Sequence, residues 1–211
     1  MKIGRLAPWY RWIEYAAFGH ALEKRRFAFL PYIARLAAES GRVLVLGEGD
    51  GRTLAELLKL APLVRVEVVD VSPEMIALAR RRSGDSDRVT FRCDDALTVD
   101  WPSDYYDAIV TNFFLDCFTE ADARVLIGRL AGALTERGIW LIGEFVVPAG
   151  GWRRMHAQVW IWTMYRFFRL STGLRAQALP PVERLLREAG MRRIGQETSR
   201  AGLVTTEAWR R

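Results

Sequence analysis

A chain of 211 residues that is 50% hydrophobic and 27% charged has apolar material for one sizeable core and too little length for two large independent domains. Lysine and arginine total 31 against 25 acidic groups, a net charge of +6, and the excess is arginine, because Lys2, Lys24 and Lys59 are the only lysines. Cys93 and Cys117 are the only cysteines, which excludes a disulfide scaffold and a cysteine-rich zinc site; no metal is expected, and the location expected is cytoplasmic. Pro8, Arg11 and Glu14 break any apolar leader. The most apolar run, residues 159–165, is far shorter than the roughly 20 residues of a spanning helix.

In chain order, residues 8–38 predict one or two helices interrupted near Pro31 and rich in Trp9, Tyr10, Trp12, Tyr15 and Phe18. They form an N-terminal aromatic lid over residues 1–40. From 41 to 211 short β-branched runs alternate with helical stripes. Residues 43–47, 64–70, 89–93, 107–112 and 139–145 read as strands. Leu54, Leu57, Leu58 and Ala61 stripe a first helix, Ser72 caps a second, and a third runs from about 120 to 137 with Gly138 past its end. Apolar runs such as Val-Leu-Val-Leu suit a parallel sheet covered on both faces. A helix over 180–189 and two alternating runs, 192–199 and 203–210, close the chain with an antiparallel hairpin. The fold expected is α/β, doubly wound, a mostly parallel seven-stranded sheet.

The first strand runs into Gly47-Glu48-Gly49-Asp50-Gly51 and then a helix. Glycines there let the backbone approach a ligand, and the helix start offers unpaired N–H groups. A dinucleotide fingerprint anchored at Gly47 requires a third glycine where Arg52 stands, whereas G-x-G-x-G fits Gly47, Gly49 and Gly51. The second strand ends in Asp70, at the edge where open α/β sheets bind ligands, placed to accept two ribose hydroxyls.

With these residues the chain resembles the class I S-adenosylmethionine-dependent methyltransferases from about residue 43 to 211. The glycine loop, Asp70 in V-D-V-S-P-E-M, Asp95-Ala96 after the third strand, the Y-D-A-I-V strand from Tyr106 and the closing hairpin carry the resemblance. It implies S-adenosylmethionine as cofactor, Asp70 on the ribose, Val71 and Met75 along the adenine, Asp95 and the Ala96 N–H on the adenine edge, and Asn112 near the methionine end. Family members carry an acidic residue two positions before the first glycine; Val45 stands there, and Glu48 either takes over the ammonium contact or points to solvent.

Methyl transfer from a sulfonium proceeds largely by alignment, so a base is optional. Asp116, after the fourth strand, is the leading candidate, with Glu144 behind it. Residues 149–175 hold five arginines and no acidic residue among tryptophans, tyrosine and phenylalanines. This cap reads as a substrate lid, a packing or dimer surface, or an interfacial helix. Tyr10, His20, Trp152 and Trp160 are the candidate acceptor-side residues. Residues 139–148 and 6–10 are loosely similar to quinone-biosynthesis and phospholipid methyltransferases, which implies a small apolar or aromatic acceptor, peripheral membrane contact as an option, and a monomer or homodimer. The alternatives are an RNA methyltransferase and a non-catalytic cofactor-binding subunit. Asn112-Phe-Phe-Leu, in place of an N-P-P-Y tetrapeptide, argues against nucleic acid.

Overall fold

Alternation along the first strand sets the layering. The computed structural model describes residues 27–36, 41–84, 86–147, 178–199 and 202–211, with 150–152, 154, 155, 158, 159, 161, 163, 166 and 176. In β1 (Arg42–Leu46) Val43 and Val45 point into one core and Leu44 and Leu46 into another, all at most 1% exposed. Both faces are therefore covered, as near-continuous apolar strands require.

Next come α2 (Arg52–Leu60), β2 (Arg65–Asp70), α3 (Pro73–Ser83), β3 (Val89–Cys93), β4 (Tyr106–Asn112), α4 (Glu120–Ala133), β5 (Leu134–Phe145), α5 (Val182–Glu188), β6 (Arg192–Thr198) and β7 (Val204–Arg210), while α1 (Leu30–Leu36) precedes β1. The sheet order is β3-β2-β1-β4-β5-β7-β6. β1 to β5 pair parallel, and β7 runs antiparallel to both β5 and β6. This is the doubly wound, mostly parallel seven-stranded sheet with a closing hairpin that the sequence predicts.

On one face Leu30 and Ile33 of α1 join Leu54 and Leu57 of α2 over Val43, Val66 and Val110. Leu30 and Ile33, within the residues that the sequence assigns to a lid, are buried in this core. Pro31 lies in the first turn of α1, where its missing N–H costs nothing. On the other face α4 and α5 pack Leu126, Leu130, Leu185 and Leu186 against Trp140, Trp209 and Tyr106. The indole N–H groups of these two tryptophans reach polar partners, Thr111 Oγ1 at 3.0 Å and Glu207 Oε2 at 2.8 Å, so their burial leaves no donor unpaired.

Local chemistry starts each helix beside the site. Ser72 Oγ accepts from the Met75 N–H at 3.3 Å with Pro73 following, and Thr119 Oγ1 accepts from the Asp122 N–H at 3.2 Å. One boundary differs from the sequence reading. α4 ends at Ala133 instead of 137, and β5 begins at Leu134. The cause is tertiary: the Asp104 and Tyr105 N–H groups take the Gly132 and Ala133 carbonyls, and Leu134 pairs with Tyr106 at 0% exposure. Among the described residues no helix is long and apolar enough to cross a membrane.

Candidate active site

The carboxyl ends of β1, β2, β4 and β5 meet at one edge, and the glycine loop is their floor. Gly47, Gly49 and Gly51 all have positive φ, at 63°, 66° and 86°, but they have different neighbours. A Cβ on Gly47 would run into the Phe114 ring, and one on Gly51 would lie 2.6 Å from the Ala79 Cα of α3. A Cβ on Gly49 would meet nothing within 4 Å. Two glycines therefore serve protein packing, and only the middle one faces open space.

The loop's acids hold it in shape. Glu48 Oε1 accepts from the Leu54 N–H at 2.8 Å, capping α2 in the absence of a side-chain cap at Gly51, so this carboxylate is engaged in capping and not simply turned to solvent. Asp50, which sequence reasoning missed, is only 6% exposed. It accepts from Arg52 Nε at 2.9 Å and from an Arg82 guanidinium nitrogen at 2.7 Å. Burial pushes its proton affinity up, but the two guanidiniums outweigh that and hold the carboxyl below the usual range. Its only sequence signal is an acidic residue next to Arg52.

Asp70 stands at the end of β2. Its Oδ1 accepts from the Ser72 N–H at 2.9 Å, and the Gly49 and Val71 N–H groups also bond to the carboxylate. Burial raises its proton affinity, and these three amides work against the rise. Glycine loop and Asp70 are thus joined by a direct bond. Val71 is 44% exposed while Met75 is 3% exposed, so of the two expected adenine neighbours Met75 is a core side chain. Asp94 donates its N–H to the Asp70 carbonyl at 3.1 Å, and Asp95 Oδ1 accepts from the Leu97 N–H at 3.0 Å. Ala96 is buried, its carbonyl taken by Trp101 Nε1 at 3.1 Å.

The opposite wall is the turn after β4. Asn112 Nδ2 donates to Thr53 Oγ1 of α2 at 3.4 Å, tying β4 to the loop side. Phe113 has φ 54° and donates its N–H to the Gly143 carbonyl at 2.7 Å; a bulky residue in the left-handed region is strained. Beyond it a single 3₁₀ turn, Leu115–Cys117, is pinned from below by Glu144. Glu144 Oε1 accepts from the Leu115 N–H at 2.9 Å, the Phe114 and Asp116 amides also bond to this carboxyl, and Oε2 is buried with no hydrogen-bond partner among the described residues. Asp116 is 7% exposed and accepts from Cys117 Sγ at 3.5 Å. Burial pushes Asp116 up to about 6. Burial, then the neighbouring Asp116 charge, pushes Glu144 well above the carboxylate range. Two neighbouring acids thus differ in proton affinity, which is how environments divide acid and base roles.

Of the acceptor-side residues expected from sequence, Tyr10, His20 and Trp160 lie outside the described residues. Trp152 is helical and 71% exposed. The Asp116–Glu144 pairing was invisible in sequence, because the two acids meet only through β4–β5 pairing.

Fold and site together define an α/β domain with a glycine loop and a buried carboxylate at the carboxyl edge of its parallel strands. Residues 43–138 match the family model described as a methyltransferase domain. Thermus thermophilus demethylmenaquinone methyltransferase is 33% identical over 138 residues, covering 64% of this chain and 60% of that protein. Bacillus anthracis polyamine aminopropyltransferase 2 is 33% identical over 114 residues, covering 47% of this chain and 31% of that protein. The structure of the N-methyltransferase NodS of Bradyrhizobium japonicum WM9, solved with S-adenosyl-l-homocysteine, superposes with a TM-score of 0.65 at 19% identity over 90% of this chain and 87% of NodS. Residues 43–138 of the chain are thus similar to a methyltransferase domain. The chain spans less than two thirds of the length of these two curated relatives.

Proposed function

We propose that the chain binds S-adenosylmethionine at the carboxyl edge of β1 and β2 and transfers its methyl group to a small apolar or aromatic acceptor. The observation that carries this reading is the Asp70 carboxylate, joined to the Gly49 N–H beside the open space over that glycine. A carboxylate has about four lone-pair sites, so one that accepts three amides still has capacity for a ribose hydroxyl. Val71 and the Asp95–Ala96 turn would flank the adenine, and Asn112 the methionine end. The acids around the edge, Glu48 and Asp70, suit a cationic sulfonium. Bound there, the cofactor supplies an activated methyl on sulfur.

The chain's own part is alignment and proton handling. The glycine loop and the 113–117 turn fix the two walls, and orientation of this kind is worth roughly 7 to 11 kcal/mol of barrier in intramolecular comparisons. A proton released by an O–H or N–H acceptor passes to Asp116, whose proton affinity near neutrality fits a general base. An apolar acceptor is supported by the aromatic surroundings, Phe113 against Phe145 at 4.8 Å and Phe114 against Phe118 at 5.1 Å between ring centroids. The name of the Thermus relative, a demethylmenaquinone methyltransferase, agrees with it.

The test is incubation of purified protein with methyl-labelled S-adenosylmethionine and, in separate reactions, quinone extract, polar lipid extract and bulk RNA. The expected result is label in the quinone or lipid fraction. Label in RNA alone would support the RNA reading, and cofactor binding with no label anywhere would support a non-catalytic subunit.

A further inference from the structure

In the turn after β3 nearly every backbone donor is already engaged. The Asp94 N–H goes to the Asp70 carbonyl at 3.1 Å, the Asp95 N–H to Asp94 Oδ1 at 2.9 Å and the Leu97 N–H to Asp95 Oδ1 at 3.0 Å. Those of Thr98 and Val99 both go to the Asp95 carbonyl, at 2.8 and 3.1 Å. Of residues 94–99, the Ala96 N–H alone has no partner among the described residues. Ala96 is 6% exposed, and the amide of a buried residue is rarely left unpaired.

The carbonyls of the same turn are held by side chains. Trp101, 8% exposed, donates its Nε1–H to the Ala96 carbonyl at 3.1 Å. Arg129 of α4 donates one guanidinium nitrogen to the Leu97 carbonyl at 2.6 Å and the other to the Val99 carbonyl. Arg124 on the same helix meets acids, Glu120 and Glu188. Arg129 instead meets two neutral carbonyls 32 and 30 residues back in the chain. A planar guanidinium fork spans two acceptors in one fixed geometry, which a single ammonium does not. Arg129 thereby ties the turn to a helix whose Leu126 and Leu130 are fixed in the core.

We propose that Arg129 is a positioning residue for the cofactor's base: its fork fixes the 95–99 turn against α4, and the fixed turn presents the Ala96 N–H and the Asp95 carboxylate to the adenine edge. This role rests on the cofactor site proposed above. An N–H donor matches the ring nitrogen N1 of adenine, and a carboxylate oxygen accepts from the 6-amino group. Hypoxanthine carries a hydrogen on N1 and an oxygen at position 6, so it sets donor against donor and acceptor against acceptor. A turn already ordered by the protein loses little conformational freedom when the base arrives. Base preference is thus set from α4, by a side chain that does not itself touch the base.

The test is isothermal titration of S-adenosylhomocysteine, and of S-inosylhomocysteine with hypoxanthine as its base, into the full wild-type chain, Arg129→Met and Arg129→Lys. The wild type is expected to prefer the adenine compound on the order of a hundredfold, because the other compound leaves two polar groups of the turn mismatched. Arg129→Met lowers affinity for the adenine compound on the order of tenfold and for the hypoxanthine compound by less than about twofold, so the preference contracts. Arg129→Lys keeps the charge without the fork and falls between the two, and it carries the test where Arg129→Met does not fold. A purely structural role weakens both compounds by the same factor. That result, or a preference unchanged in both variants, overturns the assignment and leaves the cofactor site standing. A wild type that binds the two compounds equally overturns it as well, and one that binds neither overturns the cofactor site together with it.

Discussion

Asp116 and Glu144 show how environment divides two identical chemistries. Both are buried acids, Glu144 near the end of β5 and Asp116 in the turn after β4, and burial followed by the Asp116 charge holds Glu144 well above the carboxylate range. For Asp116, whose affinity is raised to about 6, the folded state binds a proton more tightly than the unfolded state. This group's contribution is therefore fully present below pH about 4 and is lost as pH rises to about 6. Asp116→Asn should flatten that stretch of the stability profile. Its turnover should fall on the order of 10²-fold, and the rise in wild-type rate through pH about 6 should disappear. A rate profile of the variant that still rises at that pH would remove Asp116 as the base.

At the scale of elements, the glycine loop and the 113–117 turn are one unit, because the Phe114 ring fills the space over Gly47. An alanine in the left-handed region costs roughly 1 to 2 kcal/mol, which is the expected loss for Gly49→Ala in urea unfolding. Gly47→Ala and Gly51→Ala add a clash, with the Phe114 ring and the Ala79 backbone respectively, typically worth about 1 to 3 kcal/mol more. Equal midpoints for all three variants would contradict this division of roles. The sequence made the loop, Asp70 and the alternating strands legible, since all three are local patterns. Asp50 and its Arg82 partner, Phe114 over Gly47, and Glu144 beneath Leu115 were hidden because each depends on strands or helices brought together only by folding. The same reason moved the end of α4: residues 134–137 continue a helical pattern, and only the Asp104–Tyr105 segment and Tyr106 show that the chain has already entered the sheet.

Over the whole molecule, the net charge of +6 resolves into two halves. Residues 1–120 carry 16 basic and 18 acidic groups, whereas 121–211 carry 15 basic and 7 acidic groups. The acidic half holds the glycine loop and the edge acids, where the sulfonium of the proposed cofactor would sit. In the basic half Arg187 of α5 meets Glu183 and Arg193 of the hairpin meets Glu207, and the sequence of residues 149–175 holds five arginines and no acid. The proposed cofactor site lies in the acidic half and rests on one carboxylate. Isothermal titration of S-adenosylmethionine into the wild-type chain and into Asp70→Ala tests it directly. Saturable binding by the wild type and none measurable for the variant is the predicted result, since charge-assisted hydrogen bonds of roughly 1.5 to 3 kcal/mol each are lost. Equal affinity in the two proteins would contradict it.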